Sequence, residues 1–197
     1  MSDDVLAHLR RATAESHRAV EELTAARGVA TSHHGLLEHV ALLHAHHRAL
    51  LDETRPHPRA HVRVAMRLGE LDHDLQVLAG GSEAPRCAVA APRLPSEAHA
   101  MGACYVIEGS RLGGAVLARD LVARGIEVGR LRAFQSGAHV GERWRTFVGE
   151  LQACPDAWSE AIVEGAIRTF DALRVQYVAL VAAAPQKSAI GPVSGSP

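Results

Sequence analysis

Aromatic residues are scarce in this chain of 197 residues, at 4% of the composition. Single-stranded nucleic acids are usually bound by stacking bases on aromatic side chains, so this class of function is disfavoured. The formal net charge is −1, and it supplies no overall basic surface for nucleic acid or for an anionic membrane. With so few rings, the core has to be built from leucine, alanine and valine.

Long hydrophobic runs and paired cysteines are also missing. No apolar stretch approaches the roughly 20 residues that span a bilayer, and the acidic start Met-Ser-Asp-Asp is unlike a signal peptide. The three cysteines, Cys87, Cys104 and Cys154, form no CxxC pair and are odd in number, which fits a reducing compartment. We therefore expect a cytoplasmic protein that binds neither nucleic acid nor a membrane.

Apolar residues recur at three- and four-residue spacings along the whole chain, whereas the alternation typical of strands does not occur. The sequence predicts an all-α, compact multi-helix bundle, with one domain over residues 1–184 and a disordered tail rich in Pro, Gly and Ser over 185–197. The first predicted helix runs from a cap at Asp3 or Asp4 to Gly28, the second from Thr31 or Ser32 to about Arg55, and the third from about His61 to Leu78. The fourth runs from a cap at Ser96 to about Ala123, the fifth over about 140–152, and the sixth from about Ala157 to Ala183.

Glycines interrupt the fourth predicted helix, in Tyr105-Val-Ile-Glu-Gly-Ser-Arg-Leu-Gly-Gly114. Each interior glycine costs about 0.5–1 kcal/mol relative to alanine. Gly109 and Gly113 are four residues apart and lie on one helix face. That face can admit a flat ligand to near-backbone contact, or it can pack closely against another helix.

His17 lies on the first predicted helix, in a polar line formed by Arg10, Thr13, His17 and Glu21 at helical spacing. A histidine in this position can ligate a metal, while Glu21, one turn later, hydrogen-bonds its other ring nitrogen. The alternative is a surface histidine paired with Glu21. Combined with a bare-backbone helix, the imidazole could form one wall of a haem slot.

These segments resemble bacterial haem oxygenases, and most closely the type that accompanies bacteriophytochromes. The motifs are Leu9-Arg-x-Ala-Thr-x-x-x-His17-x-x-x-Glu21, Tyr105-Val-x-Glu-Gly-Ser-x-Leu-Gly-Gly114 and Trp144-Arg-x-Phe147. In this order they cover roughly residues 5–183, so the combination is more specific than any single motif. The resemblance implies the haem-oxygenase-like helical fold.

The resemblance also implies an activity, the oxidative cleavage of haem to biliverdin, CO and Fe²⁺. Haem b would be both substrate and cofactor, with O₂ and with electrons from ferredoxin or another reductase, and a bacteriophytochrome could accept the biliverdin. His17 would be the axial ligand of the haem iron. The distal wall would be formed by Gly109, Ser110, Gly113 and Gly114, and Arg10 and Arg145 would be propionate partners.

One position departs from the best-known pattern of this family. Animal-type members carry an aspartate directly after the first distal glycine, where this chain has Ser110. A serine hydroxyl can hydrogen-bond water but cannot hold charge. The proton route is therefore open. Two other hypotheses also stay open: a haem-binding protein that stores, transports or senses haem, and a bundle without haem whose glycines only pack helices.

Two groups of basic residues, only one member of which belongs to these motifs, need a separate interpretation. The second helix and its start carry six histidines, which we interpret as a solvated face rather than as a metal site; they are His33, His34, His39, His44, His46 and His47. A second group could form a docking surface for an acidic electron donor, or simply a solvated face; it consists of Arg124, Arg130, Arg132, Arg143 and Arg145.

Overall fold

The computed structural model describes residues 5–87, 89–135 and 138–183. Within these ranges the chain forms six α-helices and no strand, which confirms the all-α prediction. The helices are α1 Val5–Ala26, α2 His33–Glu53, α3 Pro58–Ala79, α4 Glu97–Ala123, α5 Ala138–Gln152 and α6 Ser159–Ala182, with a short 3₁₀ turn at Asp156–Trp158 before α6. The proposed caps Asp3 and Asp4 and the predicted tail 185–197 lie outside the described residues.

Local signals account for most of the helix boundaries. Ser32 caps α2 by accepting a hydrogen bond from the Gly35 amide at 3.0 Å, and Ser96 caps α4 in the same way. Gly80 ends α3 in the left-handed conformation, with φ of 57°, which only glycine adopts readily. Helix α3 begins at Pro58, earlier than predicted, because proline is favourable in a first helical turn.

Helix α6 is the element on which the rest of the fold is assembled. Both α1 and α4 pack along it extensively, α2 pairs with α3, and α5 contacts both α4 and α1. Aliphatic side chains supply most of the buried core, as the composition requires. None of the helices in the described ranges combines the length and apolarity needed to cross a bilayer.

The closest approach in the bundle is the crossing of α4 and α6. A Cβ atom placed on Gly102 would stand 2.0 Å from the Ile162 carbonyl oxygen, and one placed on Gly165 would stand 2.1 Å from the His99 carbonyl oxygen. Both distances are far below van der Waals contact, so only glycine fits at either position. The close packing that glycines permit therefore occurs here, at residues that the sequence analysis did not single out.

Two histidines of α2 are buried and a third, His39, is half-buried, so the prediction of a solvated face is wrong for these three. His46 is 1% and His47 3% exposed, and the half-buried ring of His39 packs against Phe134 and Tyr177. Burial lowers the pKa of His39 and of His46 to about 4, because desolvation disfavours the charged imidazole. These rings are neutral interior groups rather than surface cations.

Hydrogen bonds from α6 and from α2 itself hold the buried rings in place. His47 Nδ1 lies 2.7 Å from the Leu43 carbonyl oxygen, and His46 Nδ1 lies 3.2 Å from the Gln176 amide nitrogen. His33 and His34, in contrast, are exposed as predicted. No cluster of three or more potential ligands arranged to hold a metal ion occurs in the part of the chain that the structure describes.

Candidate functional site

His17 presents its imidazole to the surface of α1. Its side chain is 58% exposed, and Nδ1 lies 3.4 Å from a carboxylate oxygen of Glu21. The ring stands edge-on to Phe170 of α6, with 5.9 Å between the ring centroids. Because Nδ1 is turned to the carboxylate, Nε2 is the ring nitrogen left available to a ligand, with no hydrogen bond to any residue that the structure describes. This is the arrangement expected of an imidazole prepared to bind a metal.

The polar line predicted on α1 divides between surface and interior. Arg10 and Glu21 are exposed on the same side as His17. Thr13 is 2% exposed, and its hydroxyl donates a hydrogen bond to the Leu9 carbonyl oxygen at 2.7 Å. Its side chain therefore stabilises the interior of α1, whereas Arg10 is free to reach a ligand at the rim.

The glycine face of α4 is open. Apart from the backbone of α4 itself, no heavy atom of the described ranges lies within 4 Å of the place where a Cβ atom on Gly113 would stand, and for Gly109 the nearest is a ring carbon of Trp144 at 3.9 Å. Two apolar side chains on the same side are solvent-exposed, Leu112 at 36% and Val116 at 49%. We call Gly109, Leu112, Gly113 and Val116 the glycine strip. It is an apolar, bare-backbone surface that the Trp144 ring contacts at Gly109 and that is open at Gly113.

Gly114 has a different environment from the glycine strip. It is buried, and a Cβ atom there would stand 3.1 Å from the Ala133 carbonyl oxygen. Gly114 therefore lets the segment after α4 approach the helix backbone. The predicted distal wall thus consists of two open glycines and a third that packs against the protein.

Aromatic residues mark one end of the glycine strip. The rings of Tyr105 and Trp144 lie 5.8 Å apart, and Trp144 also contacts Phe147, which is fully buried. Arg145 follows Trp144 on α5 and is exposed. Helix α5 thus places the Trp144 ring against the strip and exposes the guanidinium of the next residue.

Helix α6 supports both walls of the candidate slot. α1 carries His17 and α4 carries the glycine strip, and each packs along α6. Among the described residues, α1 and α4 make little or no direct contact with each other, while α5 touches both. The exposed imidazole lies on α1 and the apolar bare-backbone face lies on α4, and both helices pack on α6. Such a pair of surfaces suits a flat, largely apolar, iron-containing ligand such as haem.

Ser110 lies at the edge of the glycine strip and is partly buried. Its hydroxyl donates a hydrogen bond to the Ile107 carbonyl oxygen at 2.7 Å. The hydroxyl proton is therefore used within the helix, and the oxygen is left to accept a hydrogen bond, for example from water. The serine can thus help to order water, but it offers no ionised group.

A buried ionic cluster lies behind α4, and the sequence analysis missed it. Glu108 is 1% exposed. Its Oε1 accepts a hydrogen bond from Arg63 Nη1 at 3.0 Å and lies 3.6 Å from Arg143 Nη2, while its Oε2 lies 3.3 Å from Arg111 Nε. Arg63 also donates to Glu150, at 2.7 Å. The cluster connects α3, α4 and α5 on the side away from the glycine strip.

The same interior holds the segment that follows α4. Asp74 is fully buried, and its two carboxylate oxygens accept hydrogen bonds from the Arg132 and Ala133 amides at 2.6 and 2.7 Å. Arg67, 1% exposed, donates to the Ala133 carbonyl oxygen and to Glu70. These contacts fix the backbone that packs against Gly114.

The five arginines considered as a docking surface are not equivalent. Arg143 is turned toward Glu108 and belongs to the buried cluster, whereas Arg124, Arg130, Arg132 and Arg145 are exposed. Only these four remain available for an acidic partner. An ion pair between two helices, such as that of Arg143 with Glu108, leaves no signal in the local sequence, so this division required the structure.

Comparison with known proteins adds independent information. No curated protein matches this chain. The family model described as heme oxygenase matches residues 3–176, nearly the whole chain. This match supports haem as substrate and an oxidoreductase activity on it. The chain therefore belongs to the heme oxygenase family.

Proposed function

We propose that this chain cleaves haem oxidatively to biliverdin, CO and Fe²⁺. The observation that carries the proposal is the exposed His17 imidazole on α1 together with the open glycine strip on α4, both supported by α6. Haem supplies the iron that activates O₂ and the macrocycle that is cut. The electrons come from ferredoxin or another reductase, because the sequence has no flavin, nicotinamide or iron–sulfur motif.

Each group at the slot has a separate task. His17 Nε2 binds the haem iron, and Glu21 orients the ring through Nδ1. Gly109 and Gly113 let the macrocycle approach the α4 backbone, and the side chains of Leu112 and Val116 exclude bulk water. Arg10 and Arg145 are exposed cations suited to the two propionates. Ser110 orders water at the edge of the strip and so assists proton delivery.

The resemblance in the three sequence motifs supports a narrower assignment. We propose that the enzyme is of the bacteriophytochrome-associated type, acts in the cytoplasm, and supplies biliverdin as a chromophore. Serine rather than aspartate after the first glycine of the strip, Gly109, agrees with this subgroup.

One observation favours a second candidate, a haem-binding protein that does not degrade haem. The glycine strip presents no carboxylate, since Glu108 points away from it and the Ser110 proton is donated to Ile107. A protein that lacked proton delivery would bind haem and release it intact. Turnover, rather than binding, separates the two candidates.

The test combines haem titration with turnover for the wild type and for His17→Ala, with His34→Ala, an exposed histidine outside the slot, as control. We expect the wild type and the control to give a Soret band of imidazole-ligated haem and, with ferredoxin and its reductase, the absorbance of biliverdin. His17→Ala should lose that ligation and its turnover. A wild-type Soret band that persists under reductant and O₂ without biliverdin would establish the second candidate instead.

A further inference from the structure

Glu108 precedes the first glycine of the strip and is almost completely buried. At about 100° per residue, the side chains of Glu108 and Arg111 share one face of α4, and the centre of the Gly109–Gly113 face lies about 150° away from it. The ionic cluster therefore acts on the side of the helix opposite to the ligand. A displacement of the helix toward or away from the cluster changes the depth of the slot.

Two neighbouring contacts join α4 to α5 at this level. The Glu108 carboxylate lies 3.6 Å from Arg143, and the next residue of α4, Gly109, faces the next residue of α5, Trp144. The ionic contact and the ring contact therefore both join α4 to α5, at the same level along the two helices. If the first is lost, the spacing of Trp144 from the bare backbone at Gly109 is no longer fixed.

Arg63 adds a third direction of restraint. Its guanidinium donates to both Glu108 and Glu150 and lies over the ring of Phe147, 5.2 Å from the ring centroid. Arg63 belongs to α3, so Glu108 is held from α3 and α5 at once. A single buried carboxylate thus joins three helices at the point where the glycine strip begins.

We propose that Glu108 is a positioning residue, which sets the depth of the Gly109–Gly113 backbone in the slot and thereby the seat of the haem. The inference rests on the proposed function, since the slot depth matters only if haem is bound there. Glu108 acts through the helix backbone and touches neither the ligand nor the reacting atoms.

The first test uses the ligand-free protein and Glu108→Gln, with Glu150→Gln as matched control. Glu150→Gln removes a partner of the same Arg63 but leaves α4 intact. We expect amide hydrogen exchange in the 109–117 segment of Glu108→Gln to accelerate about tenfold relative to the α6 segment 160–175, and that of the control to stay near wild type. Glu108→Asp, which keeps the charge on a shorter side chain, should be intermediate.

The second test measures the ratio of biliverdin isomers formed by each variant. A ratio does not depend on how much enzyme is folded, so a loss of stability alone leaves it unchanged. Glu108→Gln should change the ratio and weaken haem binding, and Glu150→Gln should do neither. Exchange at 109–117 and an isomer ratio that both match the control would overturn the proposal.

Two further arrangements keep the result unambiguous. If Glu108→Gln does not fold, Arg143→Gln removes only the α5 arm of the cluster and should show the same two effects at smaller size; wild-type values in Arg143→Gln would then count against the proposal. The exchange experiment contains no haem. A wild type that fails to turn haem over would therefore sink the proposed function, while the role of Glu108 in holding α4 would still be decided by exchange.

Discussion

Gly113 lies in the interior of α4, and outside the helix's own backbone no heavy atom of the described residues stands within 4 Å of the position that a Cβ atom would take. No neighbour in the described part of the chain therefore requires glycine there. The residue costs the helix about 0.5–1 kcal/mol relative to alanine, without any compensating contact among the described residues. A bound ligand that approaches the backbone gives this cost a function.

We expect Gly113→Ala to raise the stability of the ligand-free protein and to lower its affinity for haem. The free energy of unfolding of the ligand-free protein should rise by about 0.5–1 kcal/mol, since the methyl group meets no protein atom. Haem affinity should fall by about 1–3 kcal/mol, because the methyl group would stand between the α4 backbone and a closely packed haem. Urea unfolding and haem titration measure the two quantities.

The control for this substitution is Gly69→Ala, an exposed α3 glycine that likewise has nothing within 4 Å of the added Cβ atom. It should show the same gain in stability with unchanged haem affinity. Wild-type haem affinity in Gly113→Ala would contradict the assignment of the glycine strip as the haem-facing wall.

Between elements, the crossing of α4 and α6 places two helix backbones in direct contact. Gly102 and Gly165 each face a carbonyl oxygen of the opposing helix at a distance that excludes a methyl group. The same α4 therefore contains glycines of two kinds, one that seats the helix on α6 and another that leaves a surface open. Gly102, which lets α4 pack closely on α6, therefore helps to determine where the glycine strip lies relative to α6.

For Gly102→Ala we expect a loss in the free energy of unfolding of about 3 kcal/mol or more, because α4 and α6 have to separate to admit the methyl group. Gly149→Ala on α5, where an added Cβ atom meets nothing within 4 Å, is the matched control and should be neutral or stabilising. Denaturant unfolding of the ligand-free variants compares them. A neutral Gly102→Ala would mean that the crossing is looser than the structure shows.

The buried imidazoles connect the stability of the whole molecule to pH. His39 and His46 have a pKa of about 4 in the folded protein and the pKa of His47 is lowered as well, in each case chiefly through burial, whereas unfolded histidine titrates near 6.5. Below about pH 6.5 the unfolded chain binds protons that the folded chain does not. The resulting loss of stability begins there and grows as the pH falls toward 4.

We therefore expect the free energy of unfolding to be highest above pH 7 and to fall steeply between pH 6.5 and 4. The loss is about 1.4 kcal/mol per pKa unit for each histidine, on an order-of-magnitude basis. His46→Gln should flatten this profile, and His34→Gln, at an exposed position, should leave it unchanged. Urea midpoints measured across this pH range test both, and a profile of His46→Gln as steep as the wild type would contradict the assignment.

Much of the fold and part of the site could be predicted from the sequence. Caps such as Ser32 and Ser96 and the helical spacing of His17 and Glu21 are local patterns, which one stretch of chain specifies. The burial of His46 and of Glu108 depends on partners far away, Gln176 at 130 and Arg63 at 45 residues' separation. Such pairings come from the packing of helices, and no spacing within a single helix indicates them.

Because α1 and α4 each pack on α6 and make little or no direct contact with one another, the spacing between them depends on α6 together with α5, which touches both. The volume of an α6 side chain such as Phe170, which contacts the His17 ring, should therefore affect both the position of that ring and the distance between α1 and α4. In the proposed site, the size of the tetrapyrrole that fits would then depend on α5 and α6, which carry neither His17 nor the glycine strip. Substitutions along these two helices are therefore the place to adapt the proposed site to bulkier metalloporphyrins.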